Sequence, residues 1–313
     1  MAKKNILVTG ANGQLGSEIQ VIAKNYPSYN FLFVAREQLP IDDEIAVKKY
    51  FAENKIDVCI NCAAYTAVDK AEVEIDKAKA INGTAVGILA TLCKQYTALF
   101  IHISTDYVFD GTANSPYKVG HPVSPVNAYG ASKLLGEKLA LENNSASIII
   151  RTSWVYSSFG NNFVKTMMRL MKDRDSLNVV VDQEGCPTYA ADLANAIMQI
   201  VETPSTLQPF NHFQPSSNFQ PPSTLPISST LPPLSTTFHY SNKGAINWHQ
   251  FAVAIKEISN SNCVVNPIPS SQYPTPAKRP AYSVMDTSAI QETFKIKIPE
   301  WRDSLEKCMA LLK

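Results

Sequence analysis

Lys4-Asn-Ile-Leu-Val-Thr-Gly-Ala-Asn-Gly-Gln-Leu-Gly16 runs from an apolar strand pattern into three spaced glycines and on into the amphipathic stretch Gln14 to Ala23. Strand, glycine turn and helix in that order are the context a dinucleotide-binding turn requires. Gly10 permits the tight turn, Gly13 lets backbone approach a pyrophosphate, and Gly16 lets the helix pack on the strand. The helix N-terminal amides then face the anion. The spacing is Gly-x-x-Gly-x-x-Gly rather than the shorter Gly-x-Gly-x-x-Gly. A purely structural turn is the plainer alternative, and the strand that leads into it argues against that.

Outward from this turn, apolar strands ending near residues 9, 35, 61, 104 and 151 alternate with helical segments near 14–25, 44–53, 69–95 and 128–142. That alternation predicts an α/β fold, a Rossmann-type doubly wound parallel sheet with right-handed crossovers. Beyond 151 the pattern is mixed: a helix near 160–172, a short strand at 177–181, a helix at 190–202, and amphipathic helices at 247–259 and 300–312. Residues 1–151 are therefore read as an NAD(P)-binding core. Residues 152–313 read as mainly a smaller mixed α/β substrate lobe with returns to the core sheet, the active site lying between the lobes. Residues 204–237, rich in Pro, Ser, Thr and Gln and almost free of charge, read as a mobile surface insertion, with a partner-binding arm or a lid as the alternative.

The chain has 313 residues, 45% of them hydrophobic, and a net charge of +1, so it can bury a large core and offers nucleic acid no basic surface. It shows neither an apolar run long enough to span a bilayer nor a leader pattern, which predicts a soluble cytoplasmic protein. Its six cysteines are scattered; Cys59 and Cys62 form a Cys-x-x-Cys, but their strand context favours small core residues over redox chemistry. The five histidines show no ligand spacing.

The second strand, Tyr29 to Ala35, points at the adenosine ribose, where an NAD site places an acid; this chain has Arg36, with Glu37 beside it. A guanidinium there suits a 2′-phosphate, which favours NADPH while leaving NADH open. The third strand, Asp57 to Asn61, opens into Cys62-Ala-Ala-Tyr-Thr66, whose small side chains let a cofactor approach. Tyr129 and Lys133 lie four residues apart, downstream of Ser104-Thr105-Asp106. On a helix that spacing places phenol and ammonium on one face. The ammonium, and a helix N-terminus near Pro125, would draw the phenol down from a pKa of roughly 10, making Tyr129 a candidate general acid. An exposed helix pair is the ordinary reading of such a spacing; the nucleotide turn upstream weighs against it.

With Thr9–Gly16, Asn61–Asp69, Ser104–Gly111 and Tyr129/Lys133 in place, the chain resembles the extended short-chain dehydrogenase/reductases, most closely those acting on dTDP-sugars. Further segments agree, among them Arg151-Thr-Ser-Trp154, Asp182–Thr188, His239–Asn242 and Lys278-Arg-Pro280. The resemblance implies hydride reduction of the 4-keto group of dTDP-4-dehydro-L-rhamnose to dTDP-L-rhamnose, for cell-surface polysaccharide. It implies a catalytic set of Thr105, Tyr129 and Lys133, in which Thr105 orients the carbonyl and Lys133 holds the ribose. The implied cofactor set is Gly10, Gly13, Gln14, Leu15, Gly16, Arg36, Ile41, Ala63, Ala64, Tyr65, Thr66 and Lys133. The implied substrate set is Thr105, Asp106, Tyr129, Trp154 and Arg279, the last as partner of the diphosphate. Trp154 has ordinary core packing as its alternative.

Some relatives carry three carboxylates for a magnesium ion at a dimer contact. Here Glu18 matches the first, but Ala191 and Arg302 stand at the other two, so no metal site is expected, although a homodimer is compatible. Pro40 is a further departure, since relatives often carry an acid there. Two other functions share this scaffold: a sugar-nucleotide epimerase or dehydratase, disfavoured because Tyr107 rather than a carboxylate follows Asp106, and a non-catalytic regulatory subunit.

Overall fold

The computed structural model describes residues 3–203 and 236–312. Of the insertion expected at 204–237, residues 204–235 lie outside the described residues. The central sheet contains β1 (Lys4–Thr9), β2 (Tyr29–Val34), β3 (Val58–Asn61), β4 (Leu99–Thr105), β5 (Ile148–Thr152) and β6 (Thr237–Tyr240), all parallel, in the order β6-β5-β4-β3-β1-β2. β3 and β5 are buried along their whole length, which is why they read as unbroken apolar runs instead of alternating ones.

One face of the sheet is covered by α1 (Gln14–Ala23), through Leu15, Ile19 and Ile22, together with the later helix Ala190–Glu202. The other face carries α2 (Glu44–Glu53), α3 (Ala85–Gln95) and α4 (Ala128–Asn143). Each fully buried aliphatic side chain in these layers contributes about 1.5–3 kcal/mol. The chain leaves β1 toward β2 and then returns to the opposite side of β1 as β3. Ligands of open α/β sheets bind at such a reversal, beyond the carboxyl ends of the strands, and here that point is Thr9–Gly10 beside Asn61–Ala63.

Past β5 the chain builds a second core from α5 (Phe163–Asp173), α6 (Trp248–Ser259) and α7 (Trp301–Ala310) around a parallel pair of strands, Ser176–Val180 and Val264–Ile268. Val164, Met167, Phe251, Ile255, Leu305 and Met309 fill this core. Among the described residues no helix is long and apolar enough to cross a membrane.

Two expectations need correction. The helix expected over 69–95 is broken: Val68–Ala71 and Ile75–Lys79 are separate short helices, and Ala80–Thr84 is a π-helical turn leading into α3. That turn presents Asn82, whose amide nitrogen donates to the Tyr65 carbonyl (2.9 Å) and the Ser132 hydroxyl (2.9 Å) while its oxygen accepts from Tyr65 N–H (2.8 Å). A π-turn re-aims one side chain at the cost of regular helix hydrogen bonding, and here it pins the loop after β3. The Tyr129 helix begins at Ala128, not near Pro125, because the Asn127 side chain caps it by accepting from Gly130 N–H at 2.7 Å.

Candidate active site

Backbone geometry builds the nucleotide side of the site. Gly10 has φ +64°, and a Cβ there would sit 2.6 Å from Ala63 N, so only glycine lets the β1 turn lie against the β3 exit. Gly16 does not serve strand packing as expected: a Cβ would meet the Gly10 carbonyl at 2.5 Å and Ala11 Cα at 2.7 Å, so it brings α1 onto the turn itself. Gln14, in the first helical turn, donates to the Val155 carbonyl (3.3 Å) and accepts from Asn162 (2.9 Å), which ties the turn to the second lobe.

A single cleft of about 750 Å³ opens from this turn. Gly10, Gly13, Gln14, Leu15, Ala63, Ala64 and Thr66 line it, and Arg36 and Ile41 line its outer end. Arg36 is 62% exposed in its side chain and stands 3.8 Å from Asp42. At the inner end the cleft meets Thr105, Asp106, Tyr129, Lys133 and Trp154. Three expected residues do not line it. Gly16 is beneath the turn, and Tyr65 is held through its backbone by Asn82 with its ring 5.6 Å from the Lys77 ammonium. Arg279, expected to meet a diphosphate, makes two parallel bonds to Asp69 at 3.0 and 2.9 Å and holds that carboxyl below the usual carboxylate range.

At the reactive end Thr105, Asp106 and Lys133 are buried and Tyr129 and Trp154 half-buried, and burial governs the electrostatics. Tyr129 is pushed up to about 12, by burial first and then by Asp106, against a hydrogen bond with Thr105 that works the other way. This corrects the expectation that Lys133 draws the phenol down. The i, i+4 spacing does put both groups at the cleft, but the Lys133 ammonium reaches back to β4, where it donates to the Ile103 carbonyl at 2.6 Å and lies 3.3 Å from His102 Nε2. Burial lowers Lys133 itself to about 8, with Glu137 and Cys62 opposing. Asp106 is raised to about 6, mainly by burial; its Oδ1 accepts from Thr105 Oγ1 at 2.9 Å. Its Oδ2 is buried without a hydrogen-bond partner among the described residues, an acceptor suited to a ligand hydroxyl.

Beneath these groups Arg151 makes a bidentate pair with Glu137 (2.9 and 2.7 Å), and Ser104 donates to the same carboxylate at 2.5 Å. This locks α4 to β4 and β5. The Arg151-Thr-Ser-Trp154 segment thus supports the site with its arginine and lines it with its tryptophan. Trp154 has φ +47°, costly for a non-glycine residue, and its ring stacks on Trp248 at 3.6 Å between centroids. Sequence reading missed Trp248, which also lines the cleft, and missed Asn127, whose amide donates to the Lys278 carbonyl at 2.8 Å. The cap pattern before Tyr129 was a local signal for Asn127; Trp248 had none. Cys62, read as core, lines the cleft.

Of the carboxylate positions considered for magnesium, Glu18 is buried and accepts from Ser157 Oγ at 2.5 Å, Ala191 offers no ligand atom, and Arg302 pairs with Glu257 at 2.7 Å.

A parallel sheet opening over a glycine turn, with a phenol, an ammonium and a hydroxyl at the same crevice, defines a Rossmann-type oxidoreductase. The chain belongs to the family described as RmlD substrate binding domain, which it matches over residues 4–218 and 226–313. It is 38% identical to a dTDP-4-dehydrorhamnose reductase of Burkholderia thailandensis, with 97% of each chain covered. Among solved structures it is similar to the dTDP-4-dehydrorhamnose reductase of Clostridium acetobutylicum, at 38% identity and a TM-score of 0.86, covering 98% of this chain and 99% of that one. The dTDP-4-dehydrorhamnose reductase of Bacillus anthracis in complex with NADP gives the same TM-score at 34% identity, covering 98% of this chain and 99% of that one.

Proposed function

We propose that this protein is a dTDP-4-dehydrorhamnose reductase, an NADPH-dependent oxidoreductase that converts dTDP-4-dehydro-L-rhamnose to dTDP-L-rhamnose. The observation that carries the reading is that the glycine turn and the Thr105/Tyr129/Lys133 set share one cleft. The nucleotide side fits a dinucleotide: Gly10 lies against Ala63 N with no room for a Cβ, small residues pave the floor, and Arg36 stands at the far end. When bound, the reduced nicotinamide supplies the hydride.

The chain's own residues manage the proton and the geometry. Tyr129, raised to about 12, stays protonated throughout neutral pH and gives its proton to the more basic alkoxide oxygen. Thr105 aligns that oxygen, and its hydrogen bond with Tyr129 is the contact that favours the phenolate left behind. Asp106 offers its free oxygen to a sugar hydroxyl, and the Trp154–Trp248 pair walls the substrate side. In this reading residues 1–151 hold the nucleotide cofactor and 152–313 mainly the sugar nucleotide.

The test is spectrophotometric. Purified protein mixed with NADPH should lose the 340 nm absorbance only when dTDP-4-dehydro-L-rhamnose is added, with dTDP-L-rhamnose as product. NADPH binding without turnover would point to a regulatory protein on the same scaffold.

A further inference from the structure

His102 is wholly buried in β4 beneath the cleft floor. Its Nε2 lies 3.3 Å from Lys133 Nζ and its Nδ1 lies 3.0 Å from Asn61 Nδ2. Asn61 Oδ1 in turn accepts from Thr9 Oγ1 at 2.6 Å, and the Thr9 oxygen accepts from Ala63 N–H at 3.4 Å. A polar chain therefore crosses β4, β3 and β1 inside the sheet and joins the Lys133 head to the backbone of a cleft-lining residue. Replacing both partners of a buried hydrogen bond by apolar groups costs little, whereas leaving one unpaired is costly, so three linked polar side chains inside the sheet, Thr9, Asn61 and His102, joined to Lys133 on α4, bind one another into a unit.

An ammonium has three N–H donors and no lone pair. Lys133 gives one to the Ile103 carbonyl at 2.6 Å. A second meets His102, so Nε2 must be the accepting nitrogen. A neutral imidazole that accepts at Nε2 carries its proton on Nδ1; the structure sets the Asn61 nitrogen against Nδ1 and its oxygen against Thr9 Oγ1, so an ammonium at Nε2 requires the carboxamide to turn end for end, its oxygen to the Nδ1 proton and its nitrogen to Thr9. Burial and the nearby ammonium hold His102 well below the usual imidazole range, which keeps it neutral. The charged and titratable groups around Lys133 are Glu137 on its own helix, Cys62 at the β3 exit, His102 on β4 and Tyr129 one turn earlier.

We propose that His102 is a positioning residue for Lys133: as the Nδ1-protonated tautomer it accepts from the ammonium at Nε2, and with the Ile103 carbonyl it aims the remaining N–H into the cleft. The role rests on the reductase reading of the cleft for its catalytic consequence, but the contact stands independently of it. Losing the acceptor removes a hydrogen bond that favours the charged amine. Lys133, already near 8, then loses its proton at still lower pH, and the alkaline limb of kcat/KM moves toward neutrality.

The experiment uses the full chain with NADP+ bound. Histidine 15N spectra at pH 7 should show His102 protonated at Nδ1 and bare at Nε2; an Nε2-protonated ring overturns the proposal. Lysine 15Nζ titration, assigned with Lys133→Met, should place the His102→Asn midpoint about one pH unit below wild type, the scale of one hydrogen bond to a charged group. Asparagine reproduces the Nδ1 side of the ring and glutamine the Nε2 side, so His102→Gln should restore the midpoint. Equal midpoints in all three proteins would contradict the proposal, as would a shift that His102→Gln does not reverse. kcat/KM should fall about tenfold in His102→Asn, with its alkaline limb displaced in step. If wild type does not reduce the sugar nucleotide at all, the reductase reading fails while the two spectroscopic readouts still decide the role of His102.

Discussion

The two ends of the cleft are built by different means. At the nucleotide end the chain presents backbone: Gly10 at φ +64° against Ala63 N, the start of α1, and alanines that stay out of the way. At the reactive end it presents side chains, Thr105, Asp106 and Lys133 buried and Tyr129 and Trp154 half-buried, held by partners from distant segments. Lys133 is held by β4, Trp154 by Trp248, and the Tyr129 helix is capped by Asn127, which also binds Lys278. Binding a common cofactor needs shape and peptide dipoles, whereas protonating one oxygen of one sugar needs placed acids and acceptors. The first end should therefore fail through strain and the second through chemistry.

Tyr129→Phe should produce the largest effect, because it removes the proton donor and leaves the backbone cradle untouched. Turnover is expected to fall by roughly 10²–10⁴ while NADPH affinity, measured by fluorescence titration, stays close to wild type. Near-normal turnover would show that another group supplies the proton.

Gly10→Ala should invert that pattern. A left-handed backbone costs about 1–2 kcal/mol for a residue with a Cβ, and this Cβ would also press on Ala63 N. NADPH affinity should fall about tenfold or more and Tm should drop, while the kcat of the NADPH-saturated variant changes less than its affinity. A variant with intact affinity and reduced kcat would dissolve the division between the two ends.

Arg36→Ala should give the smallest effect. Its side chain is 62% exposed and only loosely paired with Asp42, so solvent screens any contact it makes. A loss of about two- to fivefold in NADPH affinity with none for NADH is expected, consistent with exposed charge pairs. Equal losses for both cofactors would mean that Arg36 does not read the 2′-phosphate.

The same contrast explains what could be read from the sequence. A glycine turn between strand and helix is a local requirement of the backbone, so β1, the turn and α1 were legible, as were the parallel strands by their unbroken apolar runs. The Tyr129/Lys133 spacing was legible too, but it fixes only a helix face. Where a flexible lysine sends its head depends on β4, and the expected effect on the phenol was consequently reversed. That Arg279 pairs with Asp69, 210 residues away in the chain, is likewise a product of the fold that no local pattern carries. The π-turn that aims Asn82 leaves no mark on hydrophobic periodicity, and Trp248 meets Trp154 only through the fold.

The central claim is that the nicotinamide and Tyr129 meet the same carbonyl at the reactive end of this cleft, the hydride going to its carbon and the proton to its oxygen. Isotope transfer tests it most directly: (4R)- and (4S)-deuterated NADPH are each turned over with dTDP-4-dehydro-L-rhamnose, and the product is analysed by NMR. One of the two cofactors should place deuterium on C4 of the rhamnose, and the other should leave it unlabelled. Deuterium at a different carbon, or in neither product, would contradict the account.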